Sequence, residues 1–144
     1  MAASAQRTVI TYGTFDLFHK GHVELLRRAR ALGTRLMVGL STDSFNAIKG
    51  KTSAISYEDR KLMLEACRYV DGVFPESDWA QKPADIVRFG ADVFVMGDDW
   101  AGRFDDLARY CHVCYLSRTP GVSSTEIKHL LQQPLTFRMP AIQP

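Results

Sequence analysis

Apolar positions along this chain switch period several times, from every second residue to every third or fourth and back. The β-branched and aromatic run TVITYG (8–13) predicts a first strand. From His22 to Leu32, residues Leu25, Leu26, Ala29 and Leu32 recur at helical spacing. Arg27, Arg28 and Arg30 fall mostly on other faces, and Gly33 supplies a stop. RLMVGL (35–40) predicts a second strand, whereas the polar run 41–51 supports no more than a short helical turn ending in a basic loop. Ser56 offers a helix N-cap with Asp59 three residues on, and that helix should reach about Tyr69 with Leu62, Met63, Ala66 and Cys67 inward. VDGVF (70–74) is a short third strand. A helix then opens near Pro83 and stops at Gly90. DVFVMG (92–97) is a fourth strand, 104–110 a further helix and HVCYL (112–116) a fifth strand. Ser123 with Glu126 forms a capping box for a last helix through about Leu131.

Strand–helix alternation of this kind implies an α/β fold: one doubly wound domain (8–131) whose five-stranded parallel sheet carries helices on both faces. Residues 1–7 read as an extension. The tail 132–144 has three prolines and no period, and reads as a loose C-terminal segment. In such sheets ligands bind beyond the carboxyl ends of the strands, where the strand order switches direction. Three unusually polar stretches fall there: GTFDLFHKGH after the first strand, GDDW after the fourth and RTPGVSST after the fifth.

Composition narrows the reading. With 144 residues, 46% hydrophobic and 24% charged, the chain is of ordinary globular type. Its 18 basic and 16 acidic residues leave a net charge of +2, too balanced for a general nucleic-acid or membrane surface. Cys111 and Cys114 have C-x-x-C spacing, but they sit in an apolar run with no second pair at zinc-site spacing. They and Cys67 read as structural thiols. MAASAQRT lacks the apolar core of a signal peptide, and no apolar run approaches the roughly 20 residues that span a bilayer. Cytoplasmic location is the expectation.

His19-Lys20-Gly21-His22 carries the most chemistry. By spacing alone the two histidines could be metal ligands with Asp16 as a third, an acid–base pair, phosphate binders or plain turn residues. Context favours phosphate. Gly21 lets a ligand approach the backbone, and a helix opening at His22 offers free N–H groups to an anion. The second turn, Arg118 to Thr125, again leads from a strand through glycine into a capped helix, with Arg118 and the hydroxyls of Ser123, Ser124 and Thr125 as donors. Two helix N-termini facing one crevice make a polyphosphate site.

In TYGTFDLFHKGH, STDSFNAIKGK, SYEDRKLMLEACRYVD, DVFVMGDDW and YLSRTPGVSSTEIK, across residues 8–131, the chain resembles the HxGH nucleotidyltransferases, specifically the glycerol-3-phosphate cytidylyltransferases. The resemblance implies a Rossmann-like fold. It also implies transfer of CMP from CTP to sn-glycerol 3-phosphate, giving CDP-glycerol for teichoic-acid or capsule-like polymers, and a homodimer. It implies that Thr14 and Phe15 contact the nucleotide beside Lys20 and Gly21. His19 and His22 would bind the triphosphate and stabilise charge at the α-phosphate. Lys51 would lie near the CTP phosphates, and Lys49 and Lys82 near the acceptor. Arg118, Thr119, Pro120, Gly121, Val122, Ser123, Ser124 and Thr125 would wrap the β- and γ-phosphates, and Asp16 would lie near a magnesium ion.

The chemistry suits these residue types. A phosphate nucleophile is already ionised at neutral pH, so the reaction needs positioning and charge neutralisation rather than a strong base. Asp99 is a candidate acceptor for the cytosine amino group. Arg60 reads as a salt-bridged helix residue, while Arg68 fits that role or the site equally. Trp79 and Trp100 could line the site or belong to core or interface, and His112 and His129 read as structural. Pro120 stands where many members of this subfamily carry an acidic residue, which loosens the inference to the acceptor. The alternatives are another phosphorylated acceptor such as phosphoethanolamine, adenylyl transfer, a non-catalytic nucleotide-binding domain, or a structural partner in a larger assembly.

Overall fold

A computed structural model describes residues 5–120 and 123–132. Five strands, β1 (Thr8–Gly13), β2 (Arg35–Ser41), β3 (Gly72–Glu76), β4 (Ala91–Gly97) and β5 (His112–Leu116), form one sheet in the order β3-β2-β1-β4-β5, every pair parallel. The helices are α1 (Lys20–Arg30), α2 (Asp43–Ile48), α3 (Tyr57–Glu65), α4 (Lys82–Phe89) and α5 (Ser124–Gln132).

The sheet is buried on both sides because side chains alternate along each strand. Val9, Val38, Val93 and Val95 face α1 and α3 and pack on Leu26, Ala29 and Leu64. Ile10, Tyr12, Phe94 and Met96 face the other way, onto Ile86 of α4 and Leu107. Tyr12 lies against its β2 neighbour Gly39, where a Cβ would fall 2.4 Å from the tyrosine ring, so glycine makes room for that ring. Gly90 ends α4 in the left-handed region at φ 59°, as expected of a stop. Cys111 packs on one face of the sheet and Cys114 on the other, which rules out a shared metal or disulfide for that pair. Among the described residues no helix is long and apolar enough to cross a membrane.

Several expected boundaries move. α1 begins at Lys20 rather than His22, because His19 is its cap. The polar run after β2 forms a true helix, α2, capped by Thr42. β3 starts two residues late and runs through Pro75, which an edge strand tolerates. The helix expected over 104–110 is a 3-10 turn, Asp105–Arg109. α3 ends at Glu65, and its inward face is not the expected one. Leu62 is 66% exposed and Met63 38%, while Arg60 and Leu64 are buried.

Arg60 sets that phase. Its guanidinium donates to the carbonyls of Ile55, Thr14 and Ser41 at 2.8–2.9 Å and to the Asp43 carboxylate at 2.6 Å. The ion pair expected for Arg60 is therefore present, within a larger network that ties α3 to the ends of β1 and β2. Removing the guanidinium takes the side-chain donor from three carbonyls, that of Ser41 in the buried interior. Arg60→Met is expected to lower stability by about 3–5 kcal/mol, read as a shift in the urea unfolding midpoint. An unchanged midpoint would show that water can replace these bonds.

Candidate active site

The chain builds outward from β1 to β2 and β3, then returns to place β4 on the other side of β1. The loops after β1 and β4 therefore part at the carboxyl edge and leave a crevice. Two cavities fill it, of about 390 Å³ and 300 Å³, sharing Thr14, Phe15, His22, Trp100, Ser124 and Thr125 along their common wall. The smaller lobe takes in His19, Gly21, Asp99, Arg118, Thr119 and Ser123. The larger lobe takes in Lys49, Lys51, Lys82, Trp79 and Glu76.

The two histidines are locked by the start of α1. His19 Nδ1 accepts the Gly21 N–H at 3.0 Å, and His22 Nδ1 accepts the His19 N–H at 3.2 Å. An imidazole nitrogen that accepts carries no proton, so each neutral ring keeps its proton on Nε2. The rings stack with centroids 3.9 Å apart, and Phe15 and Phe18 cover His22. Burial lowers the pKa of His19. Burial, and then the neighbouring His19, push His22 down to about 4 against the pull of Asp16. Both rings are thus neutral N–H donors at neutral pH, bound to the helix start rather than free to shuttle protons.

The first turn of α5 closes the crevice opposite them. Ser123 accepts the Glu126 N–H at 3.0 Å, the expected cap. Ser124 donates its hydroxyl to the Asp16 carbonyl, and Ser124 and Thr125 at the start of α5 line both lobes, where a helix N-terminus favours an anion. Arg118 pairs with Asp99 at 3.0 Å across the outer rim of the smaller lobe, with both side chains largely exposed. Lys20 and Pro120 are exposed and line neither lobe. Gly121 and Val122 lie outside the described residues, as do residues 1–4 and 133–144 of the two terminal segments.

Asp16 has a different task from the expected metal contact. It is 3% exposed. One carboxylate oxygen accepts from the N–H groups of Leu17 and Ile55. The other accepts from Ala54 N–H and, at 2.7 Å, from the Lys128 ammonium. Burial alone would raise its pKa, but the Lys128 and backbone hydrogen bonds outweigh that and hold it below the usual carboxylate range. Four donors satisfy both oxygens, leaving none for a metal. The residues flanking it, Phe15 at φ 50° and Leu17 at φ 49°, sit in the left-handed region, a strain that this many bonds can hold.

In the larger lobe, Lys49 rests over Phe45 at 4.6 Å and Trp79 at 5.5 Å. Burial chiefly lowers its pKa, with Glu76 opposing and Lys51 and Lys82 adding to the fall. Lys82 is buried and bonded to Glu76 at 2.8 Å. Trp79 and Trp100 both line the crevice, and Trp100 also packs on the core cluster around Phe94. Arg68 is exposed and lines neither lobe, and the same is true of His112 and His129.

Three supports were absent from the sequence-based list. Asn46 is fully buried and links Thr14, Ser41 and Ser53. Lys128 joins α5 to Asp16 and to the Thr52 carbonyl. Glu76 anchors Lys82. Only the polar Asn46 at an inward helical position left a trace in the sequence; the other two become visible once distant segments meet.

A parallel sheet with neutral imidazole donors, a helix N-terminus and lysines around a split crevice defines a nucleotide-binding α/β protein built to handle phosphate groups. The cytidylyltransferase-like family model matches residues 10–130. The chain belongs to that family. It is 59% identical over 125 residues to a glycerol-3-phosphate cytidylyltransferase of Staphylococcus aureus (strain NCTC 8325 / PS 47), covering 87% of this chain and 95% of the relative. It is 58% identical over 122 residues to the enzyme of that name from Bacillus subtilis (strain 168), covering 85% and 95%. The crystal structure of a lipopolysaccharide core biosynthesis protein from Thermoplasma volcanium GSS1 shares the fold, with a TM-score of 0.68 at 19% identity over 80% of this chain and 99% of that one.

The lowered pKa of His22 predicts a pH-dependent stability. Above the ordinary value of 6.5 both folded and unfolded chains are neutral at this ring, and its contribution is full. As pH falls from 6.5 towards about 4, the unfolded chain takes the proton first and stability drops. Denaturant midpoints measured across that window should fall with pH, and less steeply in His22→Asn. Identical slopes would mean that His22 titrates normally in the folded protein.

Proposed function

We propose that this chain is a CTP:glycerol-3-phosphate cytidylyltransferase, forming CDP-glycerol and pyrophosphate. The observation that supports the reaction type is the meeting of two lobes lined by polar and cationic side chains at His22, with His19 beside it in the smaller lobe. The smaller lobe suits the nucleotide and the larger, lysine-lined lobe the acceptor. The choice of glycerol 3-phosphate rests on the activity of relatives that match this chain over 95% of their length.

In this reading an ionised oxygen of the acceptor phosphate attacks the α-phosphorus of CTP. The bond from that phosphorus to the bridging oxygen of the β-phosphate breaks in line, and its electron pair departs with pyrophosphate. No proton needs to be removed from the nucleophile. Charge that builds around the α-phosphate is met by the Nε2–H donors of His19 and His22, with Arg118 of the smaller lobe neutralising the β- and γ-phosphates and Lys51 approaching them from the larger lobe across the shared wall. Thr14 and Phe15 hold the nucleotide against the β1 loop, and Asp99 leaves its exposed Arg118 partner to accept from the cytosine amino group when CTP binds. Lys49 and Lys82 receive the acceptor.

Among the described residues no group of three or more His, Cys, Asp and Glu side chains converges as a metal site, and Asp16 is fully bonded. In this reading Mg²⁺ would enter with CTP and supply further neutralisation of its phosphate charge. The same reading places the protein in the cytoplasm as a homodimer that supplies CDP-glycerol for glycerol-phosphate polymers.

Incubation with CTP, Mg²⁺ and glycerol 3-phosphate should yield CDP-glycerol and pyrophosphate, identified by mass spectrometry. Absence of that product alongside turnover of another acceptor or of ATP would overturn the assignment. His19→Ala should reduce kcat by about a hundredfold. Asp16→Asn tests the structural role of that carboxylate. It should lower Tm while leaving the half-saturating Mg²⁺ concentration unchanged, whereas a metal ligand would shift that concentration strongly.

A further inference from the structure

The floor of the larger lobe is an aromatic cage that already contains a cation. Lys82 Nζ lies 4.7 Å from the Tyr12 ring centroid, 5.2 Å from Phe104 and 5.4 Å from Trp79. Glu76 pins it there at 2.8 Å, with both side chains about 96–97% buried. Tyr12 is itself fixed by a 2.7 Å hydrogen bond to Asp85, and Lys49 covers the outer part of Trp79. Several aromatic faces and a carboxylate around one point are the chemistry that binds alkylammonium groups. Here the protein's own ammonium fills that place.

We propose that Lys82 determines which acceptors this enzyme takes, by occupying an aromatic and carboxylate cage that would otherwise receive an ammonium head group. The inference rests on the reading of the larger lobe as the acceptor site. An acceptor carrying its own cation, such as phosphoethanolamine or phosphocholine, meets a cage already filled and a like charge at its mouth. An acceptor with hydroxyls and phosphate meets the remaining N–H donors of Lys82. Selection between amino-alcohol and polyol phosphates is thus made by one side chain and its counter-ion.

The geometry makes a reversal testable. Lys82→Met empties the cage and leaves Glu76 as its unpaired anion. Binding of choline chloride, followed by quenching of tryptophan fluorescence, should be at least tenfold tighter in Lys82→Met than in the parent. Activity with glycerol 3-phosphate should fall at least a hundredfold, while the phosphocholine rate rises above that of the parent. Lys82→Met/Glu76→Gln removes both charges and keeps the rings. It should bind choline more tightly than the parent but more weakly than folded Lys82→Met. It also serves if the lone Glu76 carboxylate prevents the single variant from folding, as judged by circular dichroism.

Failure of every folded variant to bind choline more tightly than the parent would overturn the proposal. The choline arm needs no turnover, so its outcome is separate from that of the cytidylyltransferase reading. A parent that makes no CDP-glycerol while the variants gain choline would sink that reading and keep the cage.

Discussion

The carboxylate of Asp16 is the point at which three distant parts of the chain are held together. It takes the backbone N–H groups of Ala54 and Ile55, the Leu17 N–H and the Lys128 ammonium. One end of that set is the loop after β1, another the segment leading into α3, and the third the helix α5. The histidines and the crevice-lining turn of α5 are both tied to this junction. Two residues in the left-handed region persist beside it because the bonds on either side over-determine the backbone. Arg60 secures the same loop from below through the Thr14 carbonyl, so the crevice wall is braced by two buried charges of opposite sign.

Charge in the site is arranged by burial as much as by composition. The histidines are pinned as neutral donors by the helix start that they cap. Cations are concentrated instead on the lysines of the larger lobe and on Arg118. One lysine of that lobe is buried against aromatic rings and a carboxylate, where it acts as part of the wall. Burial lowers the pKa of both histidines, so neither relies on a positive charge to donate an N–H at neutral pH. That matches a reaction whose nucleophile arrives already ionised.

Much of the fold could be read from period alone. All five strands, the helix stop at Gly90 and the Ser123 cap lie where the sequence pattern put them or within two residues. The errors share a cause. α3 turned on its axis because a fully buried arginine, invisible to a hydrophobic count, outweighed Leu62 and Met63. α1 began early because a histidine served as cap, outside the usual Ser, Thr, Asp and Asn. The bracing role of Asp16 was invisible because spacing shows a carboxylate but not the donors that meet it.

The sequence by itself determined the alternation of elements, hence a parallel sheet with a crevice at its carboxyl edge, and the presence there of two glycine-bearing, phosphate-suited turns. These are local matters: side-chain period, caps and turn residues act within a few positions of one another. Which donors brace Asp16, which face of α3 turns inward under Arg60, and which cation sits inside an aromatic cage were decided only by tertiary structure. Each depends on atoms separated by up to 112 positions, as between Asp16 and Lys128. Burial and hydrogen bonding at such contacts are set by the packed fold and leave no periodic trace along the chain.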